Sequence, residues 1–263
     1  MATPRWIGAA LAVAQVDSIT VALTWTAADT CTVTINGKSL VLTVGATVST
    51  AAVATALKEM INGDAITGDA TRSETGNNVP EFAELTATLF SASVVHVTAN
   101  TEGLPFTMTV TEATAGTGTA TRAAVTACTG PNFWDNAANL DTGVLPADTD
   151  TVYFDNSSVS ILYGLDQSAI EPAAVYIAMS FTGQIGLPEV NTAGGYHEYR
   201  SQYLSLGPII LQIGLGQGQG SGRIKINSTS DVCALTVFNS GTSADDLPAI
   251  IWKGTSASNS LVH

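Results

Sequence analysis

From Thr151 onward the chain is a succession of short apolar runs with no helical period: Thr151 to Phe154, Val159 to Leu162, Ala173 to Met179, Tyr203 to Leu206, Ile209 to Ile213, Ile224 to Ile226, Leu235 to Phe238 and Ala249 to Trp252. Gly, Asn, Asp and Pro separate them, so the runs read as strands. Short strands of mixed spacing fit either a sandwich or a stack of coils. The shortage of two-residue hairpin turns favours the stack, a right-handed β-solenoid or β-helix whose coils of about 20–45 residues bury their apolar faces on one another. No polar capping coil is visible at Ser260-Leu261-Val262-His263, which predicts a covering partner or a longer natural polypeptide.

The first half is written differently. Ile19, Val21 and Leu23 alternate with Thr20, Ala22 and Thr24, and Cys31, Val33 and Ile35 alternate with Thr32 and Thr34, the period-2 pattern of strands. Asn36-Gly37 supplies the two positive-φ residues of a type I′ turn, and Leu40, Leu42 and Val44 continue on the returning strand. Ser49 or Thr50 caps a helix with Val53, Leu57, Met60 and Ile61 on one face, and Asn62-Gly63 ends it. A polar interval over 63–78 predicts a mobile excursion. Leu85 to Leu89, Val95 to Ala99 and Phe106 to Val110 then read as three further strands.

The fold class expected is therefore mainly β. An N-terminal arm (1–15) precedes an α+β domain of a sheet plus one helix (16–127), a linker or entry segment (128–150) and the solenoid-like domain (151–263). Gly116-Thr117-Gly118-Thr119 and Thr129-Gly130-Pro131-Asn132 place the domain boundary near 128–132. Arg5, the apolar Trp6 to Val13 and the small residues around Ala12-Val13-Ala14 resemble a secretory signal, but an ordered arm is the preferred reading. No stretch reaches the ~20 apolar residues of a membrane span.

Charge narrows the function. Nine Lys plus Arg against 22 Asp plus Glu give a net charge of −13, and the cations are scattered. Nucleic acid and anionic membranes are thus expected to be repelled. Only 12% of residues are charged, against roughly 25% in ordinary domains, leaving a surface of hydroxyls and small side chains. Cys31, Cys128 and Cys233 show neither metal-ligand nor disulfide spacing and suit a chain made in a reducing cytosol.

Candidate chemistry is sparse. Asp135, Asp141, Asp148, Asp150, Asp155, Asp166 and Glu171 gather near the start of the solenoid. Paired carboxylates could cleave a glycan, yet Asp is also a turn former, and that use is preferred. Calcium at Asp148, Asp150 and Asp155 lacks the EF-hand pattern. His96, His197 and His263 accompany no nucleophile elbow. The Gly214 to Gly222 segment reads as a turning loop, since no Lys-Ser or Lys-Thr follows it. No catalytic residue, cofactor or metal is expected. Tyr196, His197, Tyr199, Arg200 and Tyr203 form a candidate surface-contact cluster suited to sugars or protein partners. Pro4, Arg5, Trp6 and Ile7 form a candidate particle-docking arm.

Two stretches carry a resemblance. Gly130-Pro131-Asn132-Phe133-Trp134-Asp135-Asn136-Ala137-Ala138-Asn139, with Thr142-Gly143-Val144-Leu145-Pro146 and Asp150-Thr151-Val152, resembles the segment that opens β-solenoid domains of bacterial surface proteins, with Leu140 where Trp and Thr149 where Gly are usual. Pro4-Arg5-Trp6-Ile7-Gly8, Ile161 to Ser168 and Gly222-Arg223-Ile224-Lys225-Ile226 resemble uncharacterised proteins of tailed bacteriophages. This resemblance implies a virion component made in the host cytoplasm and displayed on the particle exterior: a capsid decoration, head fibre or tail fibre. Its partners would be itself, as a homotrimer that protects sheet edges, the major capsid or tail proteins, and a host surface glycan. A glycan-depolymerising tailspike and a bacterial adhesin are the alternatives.

Overall fold

The computed structural model describes residues 2–46, 48–73, 79–191, 194–200, 202–220, 223–240, 250–254 and 260–261. The chain is mainly β and falls into two compact units: 12–129 with 190–199, and 1–11 with 130–189 and 200–263.

The first unit contains two antiparallel four-stranded sheets. One has the order β5-β6-β1-β8, from β1 (Val16–Ala22), β5 (Leu85–Ser91), β6 (Val94–Ala99) and β8 (Thr119–Thr126). The other has the order β4-β3-β2-β7, from β2 (Thr30–Ile35), β3 (Lys38–Val44), β4 (Ala70–Arg72) and β7 (Met108–Ala113). Asn36 and Gly37 adopt φ of 49° and 81°, which closes the β2–β3 hairpin with Val33 opposite Leu40.

Helix α1 (Thr50–Asn62) begins where Ser49 Oγ accepts the Ala52 amide at 3.2 Å and ends at Gly63 in the left-handed region. Its Val53, Leu57, Met60 and Ile61 join Ile19, Val33, Leu42 and Trp25 in one buried core. Asn62 pairs with strand β5 through its side chain, accepting the Ala87 amide at 2.7 Å and donating to the Ala87 carbonyl at 3.0 Å. A one-turn helix, α2 (Pro80–Ala83), precedes β5. The polar 63–78 interval holds β4, and the rest of the expected excursion, 74–78, lies outside the described residues. Sequence periodicity also missed β8, whose Ala- and Thr-rich run is mostly exposed on both faces and so carries no apolar alternation.

The second unit is a β-solenoid of about four turns. Strands β9 (Thr151–Phe154) and β10 (Ala174–Ala178) pair in parallel. The chain then runs through a small hairpin of β11 (Val190–Asn191) and β12 (Tyr196–His197), which belongs to the first unit. It returns as β13 (Leu204–Leu206), β14 (Ile210–Leu215), β15 (Ile224–Ser228), β16 (Val232–Val237), β17 (Ile250–Gly254) and β18 (Ser260–Leu261). Two parallel stacks result, β9-β10-β14-β16-β18 and β13-β15-β17. Single bridges that align Ile161 and Ile185 with Ile224, the first residue of β15, and Asp166 with Ser205 of β13 extend the second stack.

Inward positions alternate with outward ones, so Val152, Val175 and Leu211 stack in one interior column and Phe154, Ile177 and Ile213 in another. Aligned positions lie 36 residues apart from Ala174 to Ile210, where the β11–β12 hairpin is inserted, but 23 from Thr151 to Ala174 and 24 from Ile210 to Ala234. Coils this short require sharp corners. A Cβ on Gly218, at φ 146°, would lie 2.0 Å from the Met179 carbonyl oxygen.

The division into units corrects the linear scheme read from sequence. Residues 1–11 are no separate arm, and 130–150 is an entry segment of the solenoid instead of a linker outside it: both lie in the solenoid unit, where Trp6, Trp134 and Leu140 are core residues. Trp6 stacks on Trp134 (ring centroids 6.0 Å apart), Trp134 meets Phe154 at 5.3 Å, and Phe154 meets Phe181 at 5.8 Å. Burying four large aromatic rings outweighs the freedom a polar linker would keep.

Candidate functional site

The five residues Tyr196, His197, Tyr199, Arg200 and Tyr203 are divided between the two units. The chain passes from the first unit to the second between Tyr199 and Arg200. Tyr196 is buried, and its hydroxyl donates to Glu84 Oε2 (2.9 Å) while facing Asn36 Nδ2 and Asn191 Nδ2 (3.0 Å each). Tyr199 is exposed, but its hydroxyl bonds to Asn36 Oδ1 at 3.1 Å and to Thr107 Oγ1. Asn36 therefore serves the turn with its backbone and anchors both tyrosines with its side chain. The contacts of Tyr196 with Asn36 and Glu84 and of Tyr199 with Asn36 cross more than a hundred residues and leave no local pattern. Beside them a groove of about 660 Å³ is lined by residues including Lys38, Pro80, Glu81, His197 and Tyr199.

In the solenoid, the Arg200 guanidinium lies 5.4 Å from the Tyr163 ring centre. Tyr203 faces Lys253 at 4.0 Å and Lys225 at 6.0 Å. Lys225 is buried, donating to the Leu187 carbonyl at 3.1 Å. Burial lowers its pKa, with the charge of Glu189 opposing the shift.

The expected docking arm is also placed differently. Pro4 and Trp6 are buried, Trp6 Nε1 donates to the Val159 carbonyl at 2.8 Å, and the Trp6 amide donates to the Tyr153 carbonyl at 2.9 Å. Arg5 and Ile7 alone of the four point outward. The apolar character that suggested docking is used internally, to complete the first coil.

The acidic residues are distributed over turns. Asp150 accepts the amides of Ala147 and Ala2, and these bonds, Ala147 foremost, hold its pKa below the ordinary carboxylate value. Asp148 accepts the Glu171 amide at 2.8 Å, Asp141 the Arg5 amide at 2.8 Å, and Asp166 the Ser168 hydroxyl at 2.7 Å. Asp155 is ion-paired with Arg5. Among the described residues no group of three or more His, Cys, Asp or Glu could hold a metal, and no helix is long and apolar enough to cross a membrane. His96 stacks on Phe90, ring centroids 4.3 Å apart, and His263 lies outside the described residues.

A second groove was not anticipated. The parallel register stacks Tyr153, Tyr176, Gln212 and Thr236 on the outer side of the solenoid, with Arg5 bridged to Tyr153 beneath them. Around this column Asp155, Ala178, Leu215 and Gly216 complete a groove of about 490 Å³. The signal was present in the sequence. Thr-Val-Tyr-Phe, Ala-Val-Tyr-Ile and Ile-Leu-Gln-Ile share one inward–outward pattern, but only a known register shows that their third residues form a column.

No protein-family model matches this chain, and a search of curated proteins finds no match.

Proposed function

We propose that this chain is a non-catalytic structural protein of a bacteriophage particle, displayed on its exterior as a capsid decoration, head fibre or tail fibre. The observation that carries the non-catalytic reading is the engagement of its carboxylates by backbone amides and by Arg5. A glycan-cleaving spike needs two carboxyl groups about 5–9.5 Å apart across one bond. Asp155 is the one carboxylate lining the solenoid groove, and its partner is a cation. The bacteriophage setting rests on the resemblance of Pro4 to Gly8, Ile161 to Ser168 and Gly222 to Ile226.

Self-association as a homotrimer belongs to the same reading, because symmetric packing covers sheet edges. Mass spectrometry of purified particles of the encoding phage is expected to find the chain at structural copy number, and its absence would refute the proposal. Light scattering of the purified 26.9 kDa chain is expected to give three times that mass; a monomer would overturn the trimer.

A further inference from the structure

We infer that the outer flank of the solenoid carries a binding site for a neutral oligosaccharide, with Tyr176 as its stacking platform and Asp155 and Gln212 as its polar contacts. The site does not depend on where the chain is displayed.

The platform follows from register. Tyr153, Tyr176 and Gln212 occupy successive rungs about 4.8 Å apart, and their buried neighbours Val152, Val175 and Leu211 turn all three outward. Tyr153 is covered on both sides: the Arg5 guanidinium lies 4.5 Å from its centre, and the Tyr176 ring lies 5.1 Å away at a 31° tilt. The other side of Tyr176 borders Gln212, which is not aromatic. There the groove of about 490 Å³ opens over Ala178 and Leu215, a volume within the ~300–1,000 Å³ of small-ligand sites.

The chemistry selects the ligand. A pyranose ring presents an apolar C–H face, which packs on an aromatic ring, and a rim of hydroxyls, which need fixed donors and acceptors. The Asp155 carboxylate and the Gln212 amide are planar groups that offer two contacts each and suit neighbouring hydroxyls. Arg5 and Asp155 are already paired, so the groove carries no net charge, while the chain as a whole, at −13, repels polyanions. A wholly apolar ligand would strip water from Asp155 and Gln212 without replacing their hydrogen bonds. Because the lining side chains Tyr153, Tyr176 and Gln212 stand on paired strands, little ordering is needed on binding.

The test is a microarray of neutral bacterial polysaccharides and their oligosaccharides probed with the intact chain, followed by calorimetry on the best-retained glycan. Tyr176→Ala is expected to weaken binding about tenfold, Tyr176→Phe to preserve most of it, and Gln212→Ala to weaken it several-fold. Tyr199→Ala, in the other unit, is expected to bind as the parent does. Affinity is expected to change little with salt, as befits an uncharged ligand. Gln212 is a half-buried outer residue, so its variant keeps the test valid if Tyr176→Ala perturbs the coil. Retention of no array glycan would overturn the inference, as would unchanged binding in Tyr176→Ala and Gln212→Ala. Particle incorporation of the same variants, expected to be unaffected, separates this result from the virion assignment.

Discussion

The two units treat the same charge-poor, Thr- and Val-rich composition in opposite ways. In the N-terminal unit, antiparallel sheets and α1 close on a single core, so Trp25, Leu57 and Val33 belong to one buried cluster. In the solenoid each coil meets its neighbours above and below, and Phe154, Ile177 and Ile213 are successive members of a column. A closed core unfolds as a unit, whereas a stack is close to a sum of coils and interfaces. The largest expected effect tests that contrast. Trp25→Ala should cost about 3–5 kcal/mol and lower hydrogen-exchange protection throughout β1–β8. Ile177→Ala should cost about 2–5 kcal/mol, with loss of protection confined to β9, β10 and β14. Uniform loss across β9–β17 in the second variant would remove the distinction.

Removing residues 2–11 sharpens the same comparison from the end of the stack. Trp6 covers Trp134 and is bonded to Val159, so its loss exposes an aromatic face that nothing else in the coil replaces. The expected result is a red-shifted tryptophan emission and melting of the β9 coil, with α1 and β1–β8 protected as before. A deletion that leaves emission unchanged would show that the N-terminal residues contribute no core.

The contrast also explains what the sequence disclosed. The Asn36-Gly37 turn, the Ser49 cap, the Gly63 stop and the strand runs of the solenoid are local patterns, and all were legible. The short parallel runs lacked only their register, which is set by corners such as Gly214 and Gly218 packing on distant backbone. Without register the outward column of Tyr153, Tyr176 and Gln212 could not be seen. The Tyr196 cluster spans two units: the chain changes units between Tyr199 and Arg200, a step that adjacency in sequence does not show. Trp6 was misread because an apolar segment looks alike whether it completes a core or awaits a partner.

Acid should weaken both units through different residues. In the first, Asp29 accepts the Thr26 amide at 2.7 Å and the Ala115 amide at 2.7 Å, and the Thr26 bond foremost holds its pKa below the ordinary value. Asp150 does the same in the solenoid through Ala147 and Ala2. A depressed folded pKa means that each contribution is complete above the unfolded value, about 3.9, and is lost as pH falls through the folded one. Melting curves below about pH 4 should fall for both units. Asp29→Asn should flatten the acid limb of the N-terminal unit alone, and Asp150→Asn that of the solenoid alone. A limb unchanged by its own substitution would exclude that carboxylate as the cause.

The smallest effect reads local opening directly. Cys31 is fully buried in β2, and burial, with Glu112 opposite it on β7, raises its thiol pKa to about 12. Cys233 is buried in β16 and raised by burial as well, while Cys128 is half-exposed. A thiol must be both ionised and reachable to react. A chromogenic disulfide reagent at pH 8 should therefore label Cys128 first. Cys233 should follow, because a late coil can open without the rest of the stack. Cys31 should come last, because it is reached only when the closed core unfolds. Labelling of Cys31 at or above the rate of Cys233 would mean that the N-terminal unit also opens strand by strand, and the two architectures would then differ in topology but not in cooperativity.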